Sequence, residues 1–577
     1  MPTVRTCELE TFDYRHVRLL PGMLQQQVAR TRDVYFGIPN DDILKGFRRQ
    51  AGLPAPGKDM GGWAARNSAG IFGQLLSGMA RLACATDDQP LRDKALALFE
   101  GWLDTVAADG DVKMSLYAWE KLVCGLVDLH LYADCEQALP TLARTTEWAA
   151  RTFDRSRNAA NAFDFWGEWP ADTHEWYTLP ENLYRAYVIC GDSRFKDFAD
   201  IWRYEGFWNQ FAETCAPEGV PPVHAYSHVN TLSSAAMTYA VTGDQRYLRM
   251  CENAYDYILR TQCYATGGFG PEERLMPPDG SLGRSLELVG DQAEIPCGSW
   301  AGFKLSRYLM TLTGHARFGE WIETILYNAI GAALPTQPDG RTFYYADYRL
   351  STGAKHYYWH AWPCCSGTYL QANAAYHDLI YFKAPGALYV NLFVPSEVDW
   401  NTGDNTVRLR QDTDYPQSEA VNWQLYMHQP STFTLGFRVP AWCRGASAIV
   451  NGERAEIRAG SNGWVAIERE WHTGDHVAIR LPMDLRSAPI DPQHPRRVAL
   501  VYGPVVLAMH EACCRRPLLM SAGADLLSNL VQVGPGPRFR VTDTRPERHA
   551  RFLEPLYTME GGWPYWVYFD LGGDWLY

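Results

Sequence analysis

Residues 188–202 read VICGDSRFKDFADIW, and the phrase returns as AVTGDQRYLRMCENAYDYI at 240–258 and as TLTGHARFGEWIETILYNAI at 311–330. Each copy closes a small apolar helix end with a glycine, Gly191, Gly243 or Gly314, and then starts a new helix carrying aromatic residues. A glycine just past a helix accepts the left-handed backbone that ends it, so the phrase predicts repeated helix hairpins. CATDDQPLRDKALALFEGWL at 84–103 is a weaker fourth copy. Helical periodicity also covers 68–85, 91–107, 116–132, 182–190 and 231–241. Such hairpins either stack as an open solenoid or close into a ring. With roughly a dozen helices at irregular spacing, the closed (α/α)6 barrel is the expected architecture.

Beyond about residue 385 the apolar period changes to two, in LYVNLFV from Leu388, TVRLRQ from Thr406, FTLGFRV from Phe433, WVAIERE from Trp464, HVAIRLPM from His476 and RVALVYG from Arg497. Asn451-Gly452 and Thr473-Gly474-Asp475 are turn signals between these runs. The expected division is therefore a helical barrel at 21–384 and an antiparallel β-sandwich region of one or two units at 385–577. The first 20 residues, which alternate, are expected to add strand to it.

Bulk properties narrow the function. The chain has 577 residues, 46% of them hydrophobic, enough for more than one core. A formal charge of −13 leaves no basic surplus for nucleic acid. No stretch reaches the roughly 18 to 20 apolar residues of a membrane span, and the first 20 residues lack the apolar run of a secretory signal, so a cytoplasmic address is expected. Fourteen dispersed cysteines suit reduced thiols better than a disulfide framework. The 13% aromatic content suits a cleft for sugars, whose C–H faces stack on rings, as well as a large core.

The sharpest local feature is Trp359-His360-Ala361-Trp362-Pro363-Cys364-Cys365-Ser366-Gly367, a cysteine pair ahead of a helix expected to begin near Thr368. Thiolates are favoured at helix N-termini and beside metals, although paired cysteines are more often two small buried residues, as Cys513-Cys514 looks to be. In GDQAEIPCGSWAGFKL, Glu294 and Cys297 lie three residues apart before a helix expected from about Ser299. One carboxylate and three thiolates would suffice for a tetrahedral zinc, with Glu213 and Cys215 as a competing ligand pair.

TGGFGPEERL from Thr266, AEIPCGSW from Ala293, LTG at Leu312, LYNAI from Leu326 and WPCCSG from Trp362 stand in an order that resembles glycoside hydrolase family 127, the β-L-arabinofuranosidase-like proteins. FRRQAGLPAPGKDMGGWAARNSAG near the N-terminus, and WHTGDHVAIRLPMDLR with VALVYGPVVLA near the C-terminus, fit the same family. The resemblance implies an (α/α)6 barrel with β-sandwich domains and a retaining glycosidase acting on a small carbohydrate or glycoside. Cys364 would be the nucleophile and a Zn2+ ligand, with Cys365, Cys297 and Glu294 completing the zinc site. It makes Glu213 and Cys215 the decoy. Glu273 would be the acid/base, with its neighbour Glu272 and the more distant Asp279 as other candidates. His228 and Tyr345 would meet substrate, and Glu272 would border it.

This chain departs from the family's pattern in places. It has Glu-x-x-Cys where the family has Glu-x-Cys, lacks a His-rich pattern around Ile71-Phe72-Gly73-Gln74, and carries Thr178 in place of a histidine. The spacing bears on Glu294 as a ligand, and the missing histidines bear on sugar specificity more than on reaction type. Two other readings fit the same residues: a hydrolase or lyase using carboxylate or Tyr/His catalysis with a purely structural zinc, and a non-catalytic sugar-binding protein. An exposed strand edge in the sandwich would suit a homodimer.

Overall fold

The three glycine phrases are helix hairpins. Pro180–Cys190, Ala225–Thr242 and Ile295–Thr313 end at Gly191, Gly243 and Gly314 with φ of 74°, 73° and 73°, each glycine N–H donating to the carbonyl four residues back. The chain then turns into Ser193–Ile201, Gln245–Thr261 and Gly319–Asn328, the last after a 3-10 turn. The computed structural model describes residues 7–158, 175–220, 222–403, 405–510, 527–542 and 551–571, so Cys513-Cys514 lies outside the described residues.

Helix packing closes a ring. Ala69–Thr86 packs on Leu116–Tyr132, which packs on Pro180–Cys190, then Ala225–Thr242, Ile295–Thr313, Cys364–Ala374 and back to Ala69–Thr86. A second layer lies outside it: Met23–Gly37, Gln89–Leu103, Ala138–Thr152, Ser193–Ile201, Gln245–Thr261 and Gly319–Asn328 each pack against the inner ring, Gln245–Thr261 on two of its helices. This is the expected (α/α)6 barrel. Sequence follows layer. Nearly every residue of Ala225–Thr242 is buried, so small and apolar residues occupy all its faces, whereas Gln245–Thr261 buries one stripe and exposes charge on the other.

Two helices begin earlier than the sequence suggests. Pro363 takes the N-cap position with extended backbone, so the helix starts at Cys364, not near Thr368. Likewise Glu294 caps a helix that starts at Ile295, with Pro296 in the first turn, where its missing N–H costs nothing. The Cys364-Cys365 pair and Cys297 are therefore inside first turns, not ahead of them.

The β region contains a five-stranded, a seven-stranded and an eight-stranded sheet. The first two face each other, since Trp400 packs on Phe433 at 5.2 Å and Trp423 on Phe437 at 5.6 Å between ring centres. Asn451 and Gly452, with φ of 52° and 87°, form the two-residue turn joining Ser447–Val450 to Glu453–Ala455. Near the N-terminus, Glu10–Thr11 pairs with Tyr381–Ala384 in one sheet, and Val17–Leu19 pairs with Ser396–Asn401 in the other. The eight-stranded sheet reaches the barrel through bridges from Tyr565 to Gly353 and from Gly561 to Lys355. Among the described residues, no helix is long and apolar enough to cross a membrane, and the cysteines are free thiols.

Candidate active site and metal centre

One end of the barrel collects the N-terminal ends of inner helices, and with them the site. Cys364 and Cys365 open one helix, Glu294 caps another and Cys297 lies in its first turn. His224 caps Ala225–Thr242, Lys121 lies early in Leu116–Tyr132, and Glu175 precedes Pro180–Cys190. Exposed backbone N–H groups and aligned peptide dipoles at such ends favour negative charge.

Glu294, Cys297, Cys364 and Cys365 are all buried, with candidate ligand atoms within 4.8 Å of one another. Cys365 Sγ lies 3.2 Å from Glu294 Oε1 and 3.3 Å from Cys297 Sγ, while Cys364 Sγ lies 3.6 Å from Cys297 Sγ and 3.7 Å from Glu294 Oε1. The edges of a tetrahedron built on zinc–sulfur bonds of about 2.3 Å are about 3.8 Å long, so the four atoms already stand close to a tetrahedral ligand set. The Glu-x-x-Cys spacing closes because a cap residue and the third helical residue share one face. Glu294 Oε2 has no hydrogen-bond partner, its nearest cationic neighbour being His224 Nε2 at 3.7 Å.

Charge also fits a cation. His224 Nδ1 lies 2.8 Å from Glu175 Oε1, and its Nε2 lies 3.5 Å from Glu273 Oε2. Burial opposes a charge on His224, but Glu175 and Glu294 outweigh it and hold the imidazolium well above its usual range. Hydrogen bonds from Cys297 and Cys365 hold the Cys364 thiol well below its usual range against the effect of burial, with help from Tyr344 and Lys121. Burial instead pushes the Cys297 and Cys365 thiols up, and Glu294 up to about 7. Three carboxylates and a low-lying thiol thus face His224 and Lys121, an anionic surplus that a divalent ion would offset. The cluster can hold a metal ion.

Glu273 stands on the other side of His224. The loop that carries it approaches Ala225–Thr242 so closely that a Cβ on Gly270 would lie 2.5 Å from the Ala225 Cβ, and Gly270 itself has φ of 84°. Glu272 and Glu273 follow with φ of 52° and 59°, a left-handed pair that costs energy in non-glycine residues. The turn exposes Glu272 beside Asp291 and directs Glu273 inward. Burial raises the Glu273 carboxyl, while His224 and a hydrogen bond from Tyr345 pull it back. Tyr345 is in place because it pairs with Glu294 across a short antiparallel ladder. Beside it, Tyr344 OH lies 3.6 Å from Cys364 Sγ.

Cys364, Cys365, Cys297, Glu294, Glu273 and Tyr345 are thus brought together, directly or through His224. Glu272 and Asp279 are exposed, and Asp279 is taken up by Ser281 and Arg284. Glu213 is exposed and Cys215 half-buried, outside the cluster. His228 lies one turn deeper in its helix than His224, among Tyr177, Tyr204 and Phe207, with Nδ1 2.9 Å from the His224 carbonyl. Sequence reading passed over His224, Glu175 and Tyr344. His224 was within reach, because a helix begun at Ala225 instead of Thr231 makes it the cap.

Two domains of one family match the chain: Beta-L-arabinofuranosidase, GH127 catalytic domain, over residues 16–378, and Beta-L-arabinofuranosidase, GH127 middle domain, over 387–483. Among solved structures, a GH127 beta-L-arabinofuranosidase from Geobacillus stearothermophilus T6 is similar at 19% identity and a TM-score of 0.72, with 96% of this chain and 99% of that one covered. A second GH127 beta-arabinofuranosidase is similar at 17% identity and a TM-score of 0.76, covering 98% of both chains. At these identities the likeness is one of fold. No curated protein matches the chain in sequence.

Proposed function

Because the chain belongs to the GH127 β-L-arabinofuranosidase family of glycoside hydrolases, we propose that it hydrolyses a β-L-arabinofuranoside with retention, using Cys364 as nucleophile and Glu273 as acid/base on a zinc-binding scaffold. The observation that carries this reading is Cys364 itself. It is a buried thiol at a helix N-terminus, held toward the thiolate by Cys297, Cys365 and Tyr344, with a raised carboxyl group nearby across His224.

Glu294, Cys297, Cys364 and Cys365 would hold the zinc, which when bound supplies positive charge that keeps the thiols deprotonated. The side chains perform the rest. Cys364 Sγ attacks the anomeric carbon and forms a C–S bond as the glycosidic C–O bond breaks, and the Glu273 carboxyl gives its proton to the departing oxygen. Glu273, now a carboxylate, takes a proton from water as the water oxygen displaces Cys364 from the same carbon. Two displacements restore the original configuration. His224, charged between Glu175, Glu294 and Glu273, would orient all three carboxyl groups.

The test is metal content and turnover of an aryl β-L-arabinofuranoside, measured on the protein and on Cys364→Ser and Cys297→Ser. We expect about one zinc per chain, loss of at least 10³-fold in turnover for Cys364→Ser, and reduced zinc in both variants. Full turnover by Cys364→Ser would overturn the cysteine mechanism, and metal-free active protein would overturn the zinc.

A further inference from the structure

A row of rings leads from the thiol to the surface. Tyr344, at Cys364, stacks on Tyr358 with centroids 4.6 Å apart and planes at 27°, and Tyr358 stacks on Trp359 at 4.5 Å and 29°. Trp359 is 73% exposed, and Trp63, 50% exposed, meets the Tyr358 ring edge at 6.1 Å. Large rings left in water at the end of a row that starts from a buried tyrosine are unusual, because burying them would be favourable.

The row is rigidly built. Trp63 N–H donates to the Ala361 carbonyl at 3.0 Å, and Trp362 Nε1 to the Met60 carbonyl at 3.0 Å, so the two loops clasp each other. Gly62 makes this approach possible: with φ of 52°, its missing Cβ would lie 2.0 Å from the Ala361 carbonyl oxygen. The row also borders Glu273, because Tyr345, which donates to that carboxylate, lies against Tyr344 at 4.4 Å and Tyr358 at 6.1 Å. An acid that protonates the departing oxygen marks the side on which the leaving group sits.

We infer that Tyr358, Trp359 and Trp63 form the leaving-group subsite, and that it receives an aglycone whose first unit is a flat ring with an apolar face. This rests on the roles proposed above for Cys364 and Glu273. Stacking on fixed rings loses little conformational entropy, so the subsite would select by aglycone shape without touching the sugar that is cleaved.

The experiment compares benzyl with methyl β-L-arabinofuranoside, whose leaving alcohols are of similar acidity, by kcat/KM and by calorimetric Kd. The protein is set beside Trp359→Ala, Trp63→Ala and the exposed apolar control Leu288→Ala, 75% exposed and outside the row of rings. We expect a benzyl preference of about tenfold or more, a fall of about tenfold in that preference in Trp359→Ala, a smaller fall in Trp63→Ala, and no change in Leu288→Ala. An arabinofuranosyl pyranoside run alongside tells a sugar ring from an aryl one, the ring with the larger Trp359 dependence being the better fit. Equal values for benzyl and methyl, or equal losses on both in the tryptophan variants, would overturn the subsite. If neither glycoside turns over, the proposed activity on these arabinofuranosides fails while the roles of Cys364 and Glu273 stay open to their own test, and the calorimetric preference decides the subsite: lost with Trp359, it upholds it; absent from the start, it sinks it.

Discussion

At the scale of single residues, Glu273 is tuned by its neighbours and the tuning is measurable. Burial raises its carboxyl, and the Tyr345 hydroxyl, which donates to it, opposes that rise. Tyr345→Phe removes the donor, so the carboxyl keeps its proton to higher pH. An acid that must start protonated then works to higher pH. We expect the alkaline limb of kcat/KM to move up by about one unit, the worth of a hydrogen bond to a charged group. A limb that stays in place would show that Glu273 is not the group titrating there. This neighbourhood was only partly legible in the sequence. Cys364, Cys365, Cys297 and Glu294 are candidates by residue type, but spacing leaves Glu213 and Cys215 in competition and only the family resemblance chooses between them, while Glu175 and Tyr344 reach the site through folding, and nothing local distinguishes them. His228 drew attention through a resemblance, whereas the ring that faces the carboxylates belongs to His224, one helical turn away.

Among elements, a close approach between two inner helices fixes part of the site. Ala69–Thr86 and Leu116–Tyr132 meet at Gly73 and Gly125, where a Cβ on Gly73 would lie 2.0 Å from the Lys121 carbonyl oxygen and one on Gly125 2.6 Å from the Gly73 carbonyl oxygen. Gly73→Ala must push the helices apart, at a cost of about 1 to 3 kcal/mol, and it displaces Lys121 from the cluster. Gly70, in the same helix with nothing within 4 Å of its Cβ position, is the control: Gly70→Ala should gain about 0.5 to 1 kcal/mol. Urea unfolding of the two variants gives opposite shifts in midpoint if the crossing is as tight as it stands. Helix periodicity showed where these segments lie, and the boundary of Leu116–Tyr132 was read to the residue. Strands fared less evenly. Thr406–Thr413 shows alternation, but Val505–His510 is buried along most of its length and carries no period-two signal, so it went unread.

Across the whole molecule, buried ion pairs stitch together parts that hydrophobic packing alone would leave free to slide. Arg438, 1% exposed at the end of a sandwich strand, pairs with Glu320 and Glu323 on the outer helix Gly319–Asn328. Inside the barrel, Asp128 accepts from Ser77 at 2.5 Å and from Arg81 and Arg185 at 2.7 Å each, and so joins three inner helices. Arg81 also reaches the Tyr14 hydroxyl at 3.3 Å, in the N-terminal segment whose strands run in both sheets of the sandwich. Burial alone would raise the Asp128 carboxyl, but Arg81 and Arg185 overcome it and hold the group well below the usual carboxylate range. A carboxylate depressed in the folded state adds stability that is fully present above its unfolded value, about 3.9, and is lost as pH falls through the folded one. The intact protein should therefore lose stability as pH falls from about 4. Asp128→Asn should remove this contribution to the slope and, by leaving two buried guanidinium groups without their anion, cost about 3 to 5 kcal/mol at neutral pH. Denaturant unfolding across pH 3 to 7 reads both effects. An unchanged slope in Asp128→Asn would place the acid sensitivity elsewhere, the next group to test being the buried Glu181 carboxyl, which burial would raise but Lys304 holds below its usual range.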